Sequence, residues 1–416
     1  DRLRSCSYSG ATGDPVQFSV MQQTISHFEN AAQKGRALRD DTKAMIASVK
    51  AETRAFQKSH TGKATWQVIN SLGSYLALWA IMYFTIQVSW LLTAPFALVA
   101  AGVLVRVFII SHDCGHGSFL KSERWNTIWG VITGLFTFTS YHHWRGEHAV
   151  HHGTCSNLDR RGTGDVWTMT VAEYKASSRM RKMGYRFVRN PFVLLVIAPL
   201  FLFLVLERFP RGSASKKERV ATWWTNVALA VMVTGMCLLF GTSTFVLLQL
   251  GIVGVAMGAG VWLFYVQHQF ENTYWASNAD WDFGAAAMEG NSFYKLPKVL
   301  QWFSGNIGFH HIHHLSPRVP NYNLERCHEA ITAVGGQVRE VTFLEGFKAL
   351  RLQLWDEATN QLISFRQARL AYSEPEARAL LKDMSAGSLD RGGSRAVRLS
   401  RRVRVIQVGE PNPVKK

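Results

Sequence analysis

Charge is scarce in this 416-residue chain. Acidic and basic residues make up 18% of it, against roughly 25% in soluble domains, and they avoid long stretches altogether. Residues 75–110 hold a single charge, Arg106, and residues 221–267 hold none. About 20 apolar residues cross a bilayer as one helix, so each stretch is long enough for a hairpin. A wholly soluble fold is excluded. Cysteine is sparse too: Cys6, Cys114, Cys155, Cys237 and Cys327, an odd number with no CxxC pair. No disulfide framework follows. All five read as small space-filling residues, and Cys114 and Cys155, beside histidine-rich stretches, point to a reducing compartment. The HExxH pattern of zinc proteases is missing. So is a charged-then-apolar leader, which leaves the first span as the expected insertion signal.

Positive charge is in excess, at net +17. The basic residues sit beside the apolar runs rather than on a soluble fold. That assigns them to membrane topology and anionic headgroups, and excludes a nucleic-acid partner.

Four spans are expected in two hairpins: residues 72–90 and 92–110, with the break near Thr93-Ala94-Pro95, then 221–240 and 244–267. Two further apolar stretches, 127–139 and 191–206, are short. Three histidine clusters that build one site must share one face of the membrane, so an even number of crossings separates them. This demotes 127–139, and also 191–206, which has Arg186 and Arg189 before it and Arg208 and Arg211 after it. The latter is expected to be re-entrant or surface-lying. The loops at 91–94 and 241–243 are uncharged, whereas residues 111–190 carry eleven Lys/Arg and residues 1–70 carry ten. Both termini and the clusters are therefore expected in the cytoplasm. The fold class is an all-α integral membrane protein, four transmembrane helices under a cytoplasmic helical cap that holds a di-metal site. It divides into a cytoplasmic N-terminal segment (1–70, with a helix over 22–58), a catalytic domain (71–332) and a cytoplasmic C-terminal segment (333–416) ending in a basic tail over 391–416. Gly254 and Gly258 mark a close helix contact, expected within the chain, although a homo-oligomer stays open.

Eleven of the fifteen histidines fall in three clusters. Residues three and four apart share a helix face. HxxxH therefore aligns His112 with His116, and HxxHH gathers His148, His151 and His152, and again His310, His313 and His314. Neutral imidazole is a strong ligand for transition metals, and eight exceed the need of one tetrahedral zinc. His268, at the end of the fourth span, is a ninth candidate. Asp113, Glu147 and Asn306, with Asp165 and Glu271, are candidates to hold ligands or a metal-bound water in place. His142, His143 and His311 flank the pattern without fitting it, and His27, His60 and His328 lie outside it. A redox metal at a membrane surface suits hydrogen removal from an unactivated carbon.

These stretches resemble the membrane fatty acid desaturases, specifically the acyl-lipid desaturases of the Δ12 and ω3 types. The carriers are His112-Asp-Cys-Gly-His116, His148-Ala-Val-His-His152 and Gly305-Asn-Ile-Gly-Phe-His-His-Ile-His-His314, continuing through Leu315-Ser-Pro-Arg-Val-Pro-Asn-Tyr-Asn-Leu324. The resemblance covers about residues 70–330. It implies two non-haem iron ions held by His112, His116, His148, His151, His152, His268, His310, His313 and His314. It also implies dioxygen as co-substrate, a fatty acyl lipid substrate, and electrons from a separate ferredoxin or cytochrome b5 type carrier, because the haem-binding HPGG motif of a fused cytochrome is absent. A fatty acyl or carotenoid-type hydroxylase or ketolase of the same superfamily would share the site and leave an oxygen on its product. A metal transporter would need polar residues at mid-depth of the spans, and the third and fourth have no charge.

Overall fold

The computed structural model describes residues 42–162 and 164–371. The basic tail, Cys6, His27 and residues 22–41 of the expected N-terminal helix lie outside these. Residues 42–52 are helical and run into a 3-10 turn at Thr53–Phe56.

Among the described residues four helices are long and apolar enough to cross a membrane: α1 (Thr61–Thr85), α2 (Trp90–Gly115) and, later, Lys216–Phe240 and Thr242–His268. They form two hairpins, as expected, but the first turn is misplaced by the sequence. It falls at residues 86–89, and Pro95 lies inside α2. Ser89 sets the start, its Oγ accepting from Leu92 N at 3.0 Å. Thr93 Oγ1 closes the turn on Ser89 O (2.9 Å) and Thr85 Oγ1 (3.0 Å). So near a helix start, proline forfeits one hydrogen bond rather than breaking the helix. α1 also begins eleven residues ahead of the expected Leu72, the extra length passing through a π-turn at Ile69–Gly73.

Between the hairpins lie α3 (Glu123–Phe136), α4 (Tyr141–Thr154), α5 (Arg179–Val188) and α6 (Val193–Arg208). With 14 residues α3 is only about 21 Å long, short of a bilayer's roughly 30 Å hydrocarbon layer. α5 and α6 meet at 64°, so 191–206 is no straight crossing. The second hairpin is α7 (Lys216–Phe240), capped by a Ser215–Glu218 box, and α8 (Thr242–His268). Gly258 of α8 faces the backbone of α6: a Cβ there would stand 2.5 Å from Leu195 O. The glycine contact is thus made within the chain. Trp79 of α1 joins the hairpins, packing on Phe240 and Phe245 with ring centroids 5.3 and 5.5 Å apart.

Five strands of two or three residues, too short for a sequence period, tie the remaining chain to this frame. Met169–Thr170 pairs with Leu354–Asp356, which pairs with Gln361–Ile363; Phe293–Lys295 pairs with Glu340–Thr342. Arg189 is the buried tie among them. It is 3% exposed and donates to Tyr265 Oη (3.2 Å), Gln269 Oε1 (3.1 Å) and the carbonyls of Leu352 (2.7 Å) and Trp167 (3.3 Å). The sequence reading uses it only as one of the basic residues flanking 191–206. Arg189→Ala strips these acceptors of their donor inside the protein, at about 1–3 kcal/mol for each one left bare. The variant is expected to melt several degrees below the parent in a thermal-unfolding assay of the purified protein.

Candidate metal centre

Each histidine cluster reaches the centre on a helix. His112 is in the last turn of α2 and His116 caps it. α4 carries His148, His151 and His152, and its first turn is pinned to α2 by Tyr141 Oη donating to Cys114 O at 2.9 Å. His268 is the final residue of α8. His310, His313 and His314 lie on the short α9 (His310–Leu315). Glycine lets this last segment approach. A Cβ on Gly305 would stand 2.9 Å from Ile109 Cγ2 of α2, and one on Gly308 2.6 Å from Tyr294 O. Gly305 and Asn306 both hold positive φ, 55° and 62°, in the turn that aims α9 inward.

All nine sequence candidates converge. Ring nitrogens of His112, His116, His148 and His313 form one set within 4.8 Å of one another. His151, His268 and His314 form a second, with Cys155. His152 lies between them: its Nε2 is 3.1 Å from His148 Nε2 and 2.9 Å from His313 Nε2, and its ring stacks 4.2 Å from that of His314. His310 Nε2 is 3.0 Å from His268 Nε2, and His112 Nε2 is 3.1 Å from His148 Nε2. Trp144 stacks on His148 at 4.4 Å and walls the first set.

The donor set fits metal ions. Nε2 of His116, His151 and His314 are buried with no hydrogen-bond partner, which is costly unless a cation takes the lone pairs. Burial, with neighbouring imidazoles acting the same way, holds His116, His148, His152, His310, His313 and His314 well below the ordinary histidine range. They are neutral, as ligation requires.

Acceptors behind two rings turn a lone pair toward the centre. Asp113 Oδ1 is 3.0 Å from His112 Nδ1, and Asp165 Oδ1 is 2.8 Å from His151 Nδ1. One carboxylate thus grips one histidine in each set, keeping the proton on Nδ1 and Nε2 bare. Asp113 is itself fixed: its Oδ2 accepts from Asn321 N (2.6 Å) and Nδ2 (2.8 Å). Behind His268, Cys155 Sγ is 3.5 Å from Nδ1. Burial pushes this thiol up to about 12, so a neutral sulfur faces the ring. Cys155 does more than fill space, as the sequence reading has it.

Other candidates fall elsewhere. Glu147 pairs with Arg211 and sits 3.5 Å from His143 Nε2, so it braces a flanking histidine. Asn306 Nδ2 donates to Asn321 O at 3.2 Å, one step behind Asp113. Glu271 is exposed. His311 leaves the centre and meets His328 at 3.3 Å, and His60 caps α1, its Nδ1 accepting from Lys63 N at 3.3 Å. Asn321 escaped the sequence reading, although it stands in the Pro-Asn-Tyr-Asn run after the third cluster.

Two outcomes follow. Free histidine titrates near pH 6.5, so below that the unfolded chain binds protons that the folded histidines, held lower, refuse. Their contribution to stability is complete above about pH 6.5 and is lost as pH falls toward the depressed folded values. The metal-free protein is expected to melt at progressively lower temperature from pH 7 to pH 5. Asp113→Asn and Asp165→Asn should each weaken metal retention roughly 10–100-fold, measured by competition with a chelator.

The model of the fatty acid desaturase family matches residues 88–342, which takes in all three clusters. A fatty acid desaturase of Bacillus subtilis is 44% identical over 337 residues, 80% of this chain and 96% of that protein. An sn-1 acyl-lipid omega-3 desaturase (ferredoxin) of Nostoc is 28% identical, over 66% of this chain and 75% of its own length. An sn-1 oleoyl-lipid 12-desaturase of Synechocystis is 25% identical, over 66% and 77%. Nine converging imidazoles at the ends of two apolar hairpins, matched along this length, place the chain in the fatty acid desaturase family, as an oxidoreductase of that family.

Proposed function

We propose that the nine histidines hold two iron ions and that the protein inserts a cis double bond into the acyl chain of a membrane lipid. The ligands are His112, His116, His148 and His313 on one side, His151, His268 and His314 on the other, and His152 and His310 between them. The size and grouping of the donor set carry the reading: two neighbouring groups of buried ring nitrogens, each within 4.8 Å, with further imidazoles beside them, exceed what one tetrahedral ion takes. Iron of this kind supplies dioxygen chemistry able to break unactivated C–H bonds. The balance is one –CH2–CH2– unit, O2, two electrons and two protons giving –CH=CH– and two waters.

The chain's own groups do the rest. Asp113 and Asp165 hold ligand tautomers, Trp144 fixes the His148 ring, and burial keeps His116, His148, His152, His310, His313 and His314 uncharged. The electrons come from a separate carrier of the ferredoxin or cytochrome b5 type, and ferredoxin is the donor in the name of the Nostoc relative. The centre and both termini face the cytoplasm, supported by the basic excess of residues 1–70 and 111–190 over the uncharged hairpin turns. A hydroxylase or ketolase is not favoured, because the relatives above carry desaturase names.

Expression in a host with a simple lipid profile should yield a new unsaturated acyl chain by lipid mass spectrometry. His313→Ala should yield none and should bind less iron. A product that keeps an oxygen would overturn the assignment to desaturation.

A further inference from the structure

Helix α5 carries four basic residues, Arg179, Arg181, Lys182 and Arg186, and no acid. Met180, Met183 and Phe187, three and four residues apart, share one side and are 74%, 62% and 62% exposed. Tyr185 is buried on the other side, its hydroxyl donating to Gln353 O. At about 3.6 residues per turn, Arg179 and Arg186 border the apolar strip on one edge, Gly184 lies on the other, and Arg181 stands beyond it, exposed. Arg186 is held against Tyr174 Oη (2.6 Å) and the Phe365 ring. Neither Arg179 nor Arg181 has an ion-pair partner among the described residues.

The depth of α5 is fixed by Arg189, which follows it directly. Through Tyr265 and Gln269 that residue ties the end of α5 to the level of His268, where α8 leaves the bilayer. Beyond the 64° bend the exposed apolar surface continues through Phe192, Val196, Ile197 and Phe201. An exposed apolar strip bordered by the unpaired Arg179, on a helix with three further basic residues and no acid, at the end level of a span, matches a helix lying in the headgroup layer.

We propose that α5 lies in the headgroup layer beside the histidine centre and binds anionic phospholipid, its arginines meeting phosphates and its methionines and Phe187 the acyl boundary. This holds the centre's membrane face at a fixed depth and enriches anionic lipid next to it. Arginine near an anionic surface is attracted to it, and its fork fits phosphate.

The test uses the full chain in nanodiscs. Met183→Cys is spin-labelled with Cys6 and Cys237 replaced by alanine; Cys114, Cys155 and Cys327 are buried. Collisional access should be higher for dioxygen than for a water-soluble nickel chelate. In mixed phosphatidylglycerol and phosphatidylcholine discs, native mass spectrometry should show phosphatidylglycerol retained preferentially. Arg179→Gln with Arg181→Gln should cut that preference roughly ten-fold. A label more open to the nickel chelate would put α5 in water and overturn the proposal. Unchanged lipid retention in the double variant would overturn the anionic recognition. Neither readout needs metal or turnover, so either failure stands apart from a failure of the desaturase reading.

Discussion

The constraint on which the rest depends is the gathering of uncharged imidazoles away from water. Nine rings converge, and buried Nε2 atoms on three of them have no hydrogen-bond partner. Such a cluster is poor as a folding core, because it buries lone pairs without donors and offers little apolar area. It is sound as a receptor for cations, which take several lone pairs at once. Burial that would otherwise be a liability also keeps His116, His148, His152, His310, His313 and His314 deprotonated. The folded chain thus holds the charge state that ligation needs.

The scaffold follows from that requirement. Two hairpins bring the ends of α2 and α8 to one level, and two elements without the length to cross, α3 and α4, fold over them. The second cluster rides on α4, held by Tyr141 to the carbonyl of Cys114. The third arrives through a turn of Gly305 and Asn306 that lies against Ile109. From there Asn321 reaches back to Asp113 and so to His112, which couples the segment after the last cluster to the first cluster through hydrogen bonds. Arg189 closes the fourth side by tying α8 to the strand-bearing segment after residue 350. The family resemblance of residues 88–342 reflects this shared demand on geometry.

Much of this was legible in the sequence, and the reason is periodicity. The HxxxH and HxxHH spacings state which side chains share a helix face, and the absence of charge over 221–267 states where a hairpin runs. His268 was reachable because the end of a span fixes depth. What stayed hidden depends on contacts between distant positions. The turn at 86–89 was lost to Pro95, because proline reads as a breaker whereas Ser89 and Thr93 set the helix start. Arg189 reads only as a basic residue flanking an apolar run, and packing alone shows four acceptors around it. Asn321 and Cys155 act through His112 and His268, which no local pattern links to them. Glu147 illustrates the reverse: adjacent to His148 in sequence, it meets His143, one turn back on its own helix face, and Arg211.

The central claim is that two neighbouring sets of imidazoles make one two-ion centre rather than a single tetrahedral site. Metal quantification with Mössbauer spectroscopy, on the full-length protein purified after growth in isotopically enriched iron, addresses it most directly. The account predicts two iron ions per chain in nitrogen-rich, higher-coordinate sites that are magnetically coupled. A single ion per chain, or zinc in tetrahedral geometry, would contradict it.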